Sequence, residues 1–304
     1  MSTPLEKRNY LDPLVLSRIG HLEVIARRVV EGFVSGLHSS PFQGYNIEFA
    51  EHRPYSPGDE LKHIDWKVYA RSDDFFIKRF EEDTNLRAHL LLDCSASMAY
   101  GDGVSKLEYG KYLVASLAYL MLKQHDSVGL ILFDEEVRTH IPPRAAASHL
   151  QAITETLART EGRGKTRLSH NLTALAERIK RRGLVMVVSD LLDQPDAVLK
   201  SLTHLNRQHH EVIVFHVLHP DEVRLPFTGR VRFVDLEYAR EVLTHPSRLA
   251  REYQRRMKQF LDTYREGCLS AHADYVLLST ADPLDQALAG YLSHRMGTRR
   301  HARL

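Results

Sequence analysis

The pattern of hydrophobic and polar positions changes near residue 88 and divides the chain into two parts. Asp12–Leu37 carries apolar side chains at helical spacing, with Pro13 near its start, and this predicts an amphipathic helix. Three segments that alternate aromatic or β-branched residues with polar ones follow, and they predict short strands: YNIEFAEHR, HIDWKVYA and DFFIKRFE. We therefore expect an N-terminal helix and a small β-rich lead-in at residues 1–86, and a main domain at residues 87–304.

In the main domain, continuous apolar runs alternate with amphipathic stretches. The runs predict strands at His89–Leu92, Ser127–Asp134, Val137–Ile141, Leu184–Ser189, Glu211–Val217 and Asp274–Leu278. The amphipathic stretches predict helices at Lys106–Gln124, Ala147–Thr160, Ser169–Arg181, Pro195–Asn206 and Pro246–Ala271. This order predicts an α/β fold, in which a mostly parallel sheet has helices on both faces and a helical extension follows at the C-terminus.

Two further details of the sheet follow from the pattern. EEVR, at Glu135–Arg138, leaves room only for a tight turn, so the strand at Val137 is expected to run antiparallel to the one before it. The wholly apolar strand His89–Leu92 is expected near the centre of the sheet. In the last helix we expect a stripe of residues at helical spacing to pack on the core, namely Leu249, Tyr253, Met257, Phe260, Tyr264 and Cys268.

Composition narrows the class of protein. A net charge of +2 over 304 residues does not indicate a strongly electrostatic partner such as nucleic acid. The two cysteines, Cys94 and Cys268, form no CxxC pair, which argues against a disulfide framework or a structural zinc site and suits a reducing compartment. We find neither a signal peptide at the N-terminus nor an apolar run of membrane-spanning length. We therefore expect a cytoplasmic protein without membrane insertion.

Oxygen-bearing side chains gather where predicted strands end. LLLDCSAS places Asp93, Ser95 and Ser97 after one apolar run, and VMVVSDLLD places Asp190 after another. EGRGKTRLSHNL places Thr166 in a glycine-flanked loop just before a helix. Ligands of an open α/β sheet bind outside the carboxyl ends of its strands, and oxygen donors suit a hard divalent ion such as Mg²⁺ or Mn²⁺. We expect two carboxylates to balance the ion while a vacant position attracts another anion.

Other sites that use similar residues fit the sequence less well. A turn or helix cap also uses Asp-x-Ser, and this interpretation stays open. A phosphatase of the haloacid-dehalogenase type needs a second aspartate where this chain has Ser95. CSASM lacks the glycines of a hydrolase nucleophile elbow. GRGKT resembles the end of a phosphate-binding loop, but Arg159 stands where the early glycine is required and a helix, not a strand, precedes the loop.

The strand-end pattern resembles the metal-ion-dependent adhesion site of von Willebrand factor A domains. In that family a DxSxS loop, a threonine loop and an aspartate loop hold one divalent ion. All five positions are filled here, by Asp93, Ser95, Ser97, Thr166 and Asp190. The resemblance implies a von Willebrand factor A-like, Rossmann-like fold with Mg²⁺ or Mn²⁺ as the cofactor.

The preceding segment is similar to a bacterial family catalogued as domain of unknown function fifty-eight. The likeness covers roughly Leu37–Val217. Its R-x-Y-x-P-G-D, I-D-W and A-R motifs correspond to Arg53, Tyr55, Pro57, Gly58, Asp59, Ile64, Asp65, Trp66, Ala70 and Arg71. We interpret the charged members as residues that hold loops together rather than as a catalytic cluster, and Trp66 as a packing residue. Many relatives carry membrane helices ahead of this region, and their absence here is expected of the shorter soluble members.

These features favour a non-enzymatic, metal-dependent protein-binding module. The family resemblance implies a partner class, the MoxR-type AAA ATPases, and a chaperone-like or assembly role. We expect the ion to engage an acidic residue of the partner. The alternative is a metal-dependent hydrolase in which the same ion activates water, with His63 and Asp65 as candidates for the general base. A scaffold with a vestigial site is a third interpretation.

Overall fold

A computed structural model describes residues 13–16, 21–37, 52–54, 76–78, 86–238, 240–285 and 287–289. The chain separates into two compact units. The larger unit comprises Met1–Gly36 and Leu86–Leu304, and the smaller comprises Leu37–Asn85. The sequence suggested one boundary near residue 86, whereas this division adds a second at residue 36 and groups the N-terminal helices with the α/β unit.

The predicted N-terminal helix is present as two described segments, α1 (Pro13–Leu16) and α2 (Leu22–Leu37). One face of α2 is buried, and its members are Ile25, Ala26, Val29, Val30 and Phe33. They recur at the spacing of a single helical face, which is why the periodicity in the sequence identified this element. In the smaller unit, β1 (His52–Pro54) and β2 (Phe76–Lys78) pair antiparallel.

Within the described residues of the larger unit, six strands form the central sheet: β3 (Arg87–Asp93), β4 (Ser127–Phe133), β5 (Val137–Arg144), β6 (Leu184–Ser189), β7 (Glu211–Leu218) and β10 (Asp274–Ser279). Five helices connect or flank them: α3 (Lys106–Lys123), α4 (His149–Ala158), α5 (Leu168–Arg178), α6 (Pro195–Arg207) and α8 (Pro246–Ser270). Each predicted strand and helix of this unit is therefore present, with shifts of a few residues at its ends.

The sheet has the strand order β10-β7-β6-β3-β4-β5. All neighbouring pairs are parallel except β4 and β5, which are antiparallel as predicted. The strand β3 lies between β4 and β6, so its predicted central position is confirmed. From β3 the chain builds the sheet outward in one direction through β4, and then returns to the other side with β6. The carboxyl ends of β3 and β6 therefore flank the topological switch point, where doubly wound sheets bind ligands.

Both faces of the sheet are covered by helices. Side chains of a strand point alternately to opposite sides, so each buried strand contributes residues to the core on either face. One face forms a core with α5, α6 and α8, which contribute Leu172, Leu202 and Tyr264 among others. On the other face α3 approaches closely at Gly110, where an added Cβ would lie 2.8 Å from Leu92 Cδ1. The predicted fold class, an α/β sheet with helices on both faces, is confirmed.

The apolar stripe of α8 packs on the core only toward its C-terminal end. Tyr264 and Cys268 are buried and Phe260 packs partly against the same core, whereas Leu249 is 49% exposed. The expectation that Leu249 belongs to the core was wrong. Helical spacing places it on the same side of the helix, but the 25 residues of α8 extend farther than the core they cover.

Three short elements between β7 and α8 were not predicted. The helix α7 (Pro220–Arg224) follows β7 directly. The strands β8 (Val231–Val234) and β9 (Glu241–Thr244) then form an antiparallel hairpin of their own, whose register pairs Val234 with Glu241. These elements place additional acidic residues beside the switch point.

Candidate metal centre

The two predicted aspartates lie on either side of the switch point. Asp93 is the last residue of β3 and Asp190 directly follows β6, and both are fully buried. Parallel strands bring their carboxyl ends to the same edge of a sheet. This topology gathers side chains that are 97 positions apart in the numbering, and it does so at the edge that the sequence predicted.

The carboxylate of Asp93 accepts hydrogen bonds from three segments of chain. Its Oδ1 accepts from the backbone NH of Ser95 at 2.9 Å. Its Oδ2 accepts from the hydroxyl of Thr166 at 3.1 Å and from the hydroxyl of Ser189 at 2.7 Å. Burial and the nearby charge of Asp190 nevertheless raise the pKa of Asp93 well above its ordinary value. The cost of burying this charge beside Asp190 thus exceeds the stabilisation of the ionised carboxylate by its hydrogen-bond donors.

The serine loop and the threonine loop are fastened to each other through their backbones. Ser95 and Ser97 flank the start of a short 3-10 turn, Ala96–Ala99, and their Oγ atoms lie 3.1 Å apart. The NH of Ala96 donates to the carbonyl of Gly164 at 2.9 Å, and the NH of Arg163 donates to the carbonyl of Cys94 at the same distance. The two loops are therefore held in register, which fixes three of the five predicted donors relative to one another.

A buried lysine neutralises Asp190. Lys106, the first residue of α3, is wholly buried, and its Nζ donates to Asp190 Oδ2 at 2.7 Å and to Glu222 Oε1 at 2.6 Å. Burial alone would lower the pKa of Lys106, but the two carboxylates outweigh it and raise that pKa above its ordinary value. Lys106 thus remains charged and supplies one positive charge among several carboxylates.

The backbone after β6 is also anchored. The carbonyl of Asp190 lies 2.9 Å from Nε2 of His216, and Tyr275 Oη lies 2.7 Å from Nδ1 of the same ring. Since a carbonyl can only accept, Nε2 carries the proton and Tyr275 donates to Nδ1. The next residue, Leu191, has φ of 56°, and its carbonyl accepts from Tyr264 Oη at 2.9 Å. These contacts hold a strained turn that sets the direction of the Asp190 side chain.

A further carboxylate, Glu237, reaches the same site from the tip of the β8–β9 hairpin. Burial raises the pKa of Glu237; hydrogen bonding from the Thr166 backbone and the Ser97 hydroxyl lowers it, and the charge of Asp190 raises it. Its Oε1 atom is buried without a hydrogen-bond partner among the described residues. Glu237 therefore carries a half-buried carboxylate beside the loops of Thr166 and Ser97.

The donor set suits a divalent cation of the Mg²⁺ type. Asp93, Ser95, Ser97, Thr166 and Asp190 offer carboxylate and hydroxyl oxygens, which such hard ions prefer. Asp93 and Asp190 are both fully buried and, within the described chain, Lys106 pairs only with Asp190 and Glu222, so an additional positive charge beside Asp93 would stabilise the site. No cluster of three or more His, Cys, Asp or Glu that could hold a metal occurs in the described residues. Binding here would thus depend on the hydroxyls as well as the two aspartates.

Several residues of this site were not predicted from the sequence, and most of the upstream motif lies outside the described residues. No pattern in the sequence indicated Lys106, Glu222 or Glu237, while Ser189 could have been recognised as a strand-end hydroxyl beside Asp190. Of the upstream motif only the backbone of Arg53 is described, in β1. The other members lie outside the described residues, and these are Tyr55, Pro57, Gly58, Asp59, Ile64, Asp65, Trp66, Ala70 and Arg71. Their interpretation as structural residues stays a prediction.

Family comparison agrees with the upstream motif. The family described as "Protein of unknown function DUF58" matches residues 51–260. The chain belongs to this family. A relative in sequence, "Uncharacterized protein Rv1480" of Mycobacterium tuberculosis, is 27% identical over 230 residues, which is 74% of this chain and 72% of the relative. The predicted membership is confirmed.

Solved structures with some similarity to this DUF58 protein include a conserved hypothetical protein, BatB, from Bacteroides thetaiotaomicron. BatB is 16% identical with a TM-score of 0.49, and the match covers 70% of this chain and 99% of BatB. An aerotolerance-related membrane protein from Bacteroides fragilis is 18% identical with a TM-score of 0.49, covering 69% and 99%. The SpRpn10 VWA domain is 11% identical with a TM-score of 0.39, covering 67% and 93%.

The expected cytoplasmic location was wrong. The similar structure from Bacteroides fragilis is described as a membrane protein, and another, from Vibrio fischeri, is described as an uncharacterized membrane spanning protein. Within the part of the chain that the structure describes, no helix is both long enough and apolar enough to cross a membrane. The prediction of location had relied on the absence of a signal or spanning segment, and such an absence does not assign a compartment.

Proposed function

We propose that the α/β unit of this DUF58 protein binds a divalent cation, Mg²⁺ or Mn²⁺, at the switch point and uses it to engage an acidic residue of a protein partner. The observation that carries the proposal is the buried carboxylate of Asp93. It collects the NH of Ser95 and the hydroxyls of Thr166 and Ser189 while Asp190 lies close enough to oppose its ionisation. Asp93, Ser95, Ser97, Thr166 and Asp190 would hold the ion.

The chemistry of the donors argues for binding rather than catalysis. Three neutral hydroxyls leave the positive charge of an ion largely unquenched, and this favours an outside carboxylate as an additional ligand. A hydrolytic reaction would need a general base beside the ion. The candidates for that role, His63 and Asp65, lie outside the described residues. On the chemistry of the donors we propose a non-enzymatic role, with a MoxR-type AAA ATPase as the partner class that the family resemblance implies.

The first experiment measures Mn²⁺ binding by calorimetry. We expect Asp93→Ala to abolish binding, because it removes an anionic ligand at the end of a rigid strand. The control is Asp196→Ala, which removes the same charge from an exposed position in the first turn of α6. Unchanged Mn²⁺ affinity in a folded Asp93→Ala variant would show that Asp93 does not bind the ion and would refute the proposed site.

The second experiment tests the partner. Binding to the MoxR-type ATPase of the same host is measured with Mg²⁺, with chelator, and with Thr166→Ala. We expect chelator to weaken the complex strongly and Thr166→Ala to do so in part, while moderate salt has less effect because a coordinated carboxylate is poorly screened. Thr173→Ala is the matched control, since its hydroxyl bonds Ser169 and Ser201 on the helices away from the site. Equal affinity under all conditions would exclude an ion bridge.

A further inference from the structure

The β8–β9 hairpin has a defined tip that presents Glu237. The ladder ends at the pair of Val234 and Glu241, and the NH of Asp235 then donates to the carbonyl of Arg240 at 2.8 Å. Oδ1 of Asp235 accepts from the NH of Glu237 at 2.8 Å and from the NH of Tyr238 at 3.0 Å. An aspartate that caps its own turn in this way fixes the backbone that carries Glu237.

The tip is fastened to the loop that carries Thr166. The Nζ of Lys165 lies over the ring of Tyr238, 4.3 Å from its centroid, which is the geometry of a cation–π contact. Glu237 lies near enough to the backbone of Thr166 and the hydroxyl of Ser97 for both to lower its pKa. The tip thus lies beside the rim of the candidate ion site. The hairpin strands are otherwise well exposed, at Val242 and Leu243 for example.

The carboxylate of Glu237 has the chemistry of the acidic ligand that the ion would take from a partner, and it is carried by the tip beside the Thr166 loop. One of its oxygens is buried without a hydrogen-bond partner among the described residues, which is a costly arrangement unless a further ligand satisfies it. The charge of Asp190 opposes its ionisation, and no ion pair of Glu237 occurs among the described residues. The described residues hold no ready cluster of three acids, so Glu237 would act together with the hydroxyls of Ser97 and Thr166, and an ion bound there would satisfy the orphaned oxygen.

We propose that Glu237 is an internal ligand of the ion, and that the hairpin must move aside before a partner carboxylate can bind. This inference rests on the proposed ion site and adds its regulation. A carboxylate tethered by a short hairpin has an effective concentration of about millimolar or higher, so it outcompetes dilute acidic ligands. The apparent affinity for a partner equals the affinity of the open form multiplied by the fraction of molecules in which the hairpin is open.

The test compares Glu237→Gln with Glu241→Gln. Both substitutions remove one charge from the hairpin and preserve side-chain size, but Glu241 lies in β9, where its carboxylate is 3.7 Å from Arg232. We expect Glu237→Gln to weaken Mn²⁺ binding on the order of tenfold in calorimetry, because one charged ligand is lost, and Glu241→Gln to leave it unchanged. We also expect Mg²⁺ to slow amide hydrogen exchange in residues 231–244 of the wild type but not of Glu237→Gln.

A carboxylate probe reports whether the ligand position is accessible. Bound Mn²⁺ relaxes the methyl protons of acetate only when acetate reaches the ion. We expect little relaxation with the wild type and strong relaxation with Glu237→Gln. If Glu237→Gln binds Mn²⁺ as tightly as the wild type, or if acetate is relaxed equally by both, the proposal that Glu237 is an internal ligand is refuted while the proposed ion site stands. If the wild type binds no Mn²⁺, the ion site and the internal ligand both fail.

Discussion

Lys106 offers the most direct test of the electrostatics at the switch point. Its side chain is wholly buried and holds two carboxylates, Asp190 at 2.7 Å and Glu222 at 2.6 Å. Replacing it with methionine preserves the length and apolar character of the side chain but removes the charge. Asp190 is then left as a buried carboxylate without its cation. We expect Lys106→Met to lower the free energy of unfolding by about 3–5 kcal/mol, the usual cost of removing one partner of a buried ion pair.

Urea unfolding of the metal-free protein measures this loss. A chelator is included, because a bound ion would supply the missing positive charge. Lys111→Met is the matched control on the same helix, since Lys111 pairs at 2.7 Å with Glu108, whose side chain is 42% exposed. Loss of that pair is expected to cost less than about 1 kcal/mol because water solvates the remaining carboxylate.

A double variant separates the charge effect from lost packing. Asp190→Asn in the Lys106→Met background removes the orphaned charge, and we expect it to recover about 2 kcal/mol or more, as coupled residues do in a double-mutant cycle. The reasoning is refuted if Lys106→Met costs no more than Lys111→Met. Additive effects of the two substitutions would equally contradict it, because they would show that Lys106 and Asp190 do not stabilise each other.

Two further predictions concern the backbone and pH. Gly164 and Gly229 have φ of 75° and 74°, and at Gly164 an added Cβ would also lie 2.8 Å from Asp134 Oδ2. We expect Gly164→Ala to lower both the free energy of unfolding, measured in urea, and the Mn²⁺ affinity, measured by calorimetry. Gly229→Ala should cost only the backbone strain, about 1 kcal/mol. Burial lowers the pKa of His89 from 6.5 to about 4, so the unfolded state binds more protons in this window and stability falls as pH drops through it. Urea unfolding at pH 6.5 and about pH 5 should show a loss about 1.5 kcal/mol smaller in His89→Leu than in the wild type, and equal losses would contradict this.

Local pattern was sufficient to predict the main sheet. The strands β3 and β6 are continuous apolar runs, which a fully buried parallel strand requires. EEVR revealed the antiparallel β5, because a chain of that length can only turn back. The carboxylates of Asp93 and Asp190 were also recognisable, since each ends an apolar run where the sheet meets its ligand edge.

The balance of charge at the site was decided only by tertiary structure. Lys106 meets Asp190 and Glu222 across 84 and 116 positions of sequence, and a lysine at the start of a helix is normally solvated. Its burial depends on how α3 lies against β6 and α7. No local pattern encodes such packing, so the sequence showed two carboxylates without the cation that stabilises one of them.

Glu237 is the clearest case of a residue whose position is decided by tertiary structure rather than by local sequence pattern. Its segment has no long apolar run and no helical period, so the sequence predicted no element there, and one more exposed glutamate would have been the default expectation. The side chain reaches the site because the chain leaves β7 at the ligand edge of the sheet and forms a hairpin beside the Thr166 loop. Apolar periodicity determines which strands form, since burial is encoded residue by residue, whereas the meeting of distant polar groups depends on topology and loop paths that only the folded chain specifies.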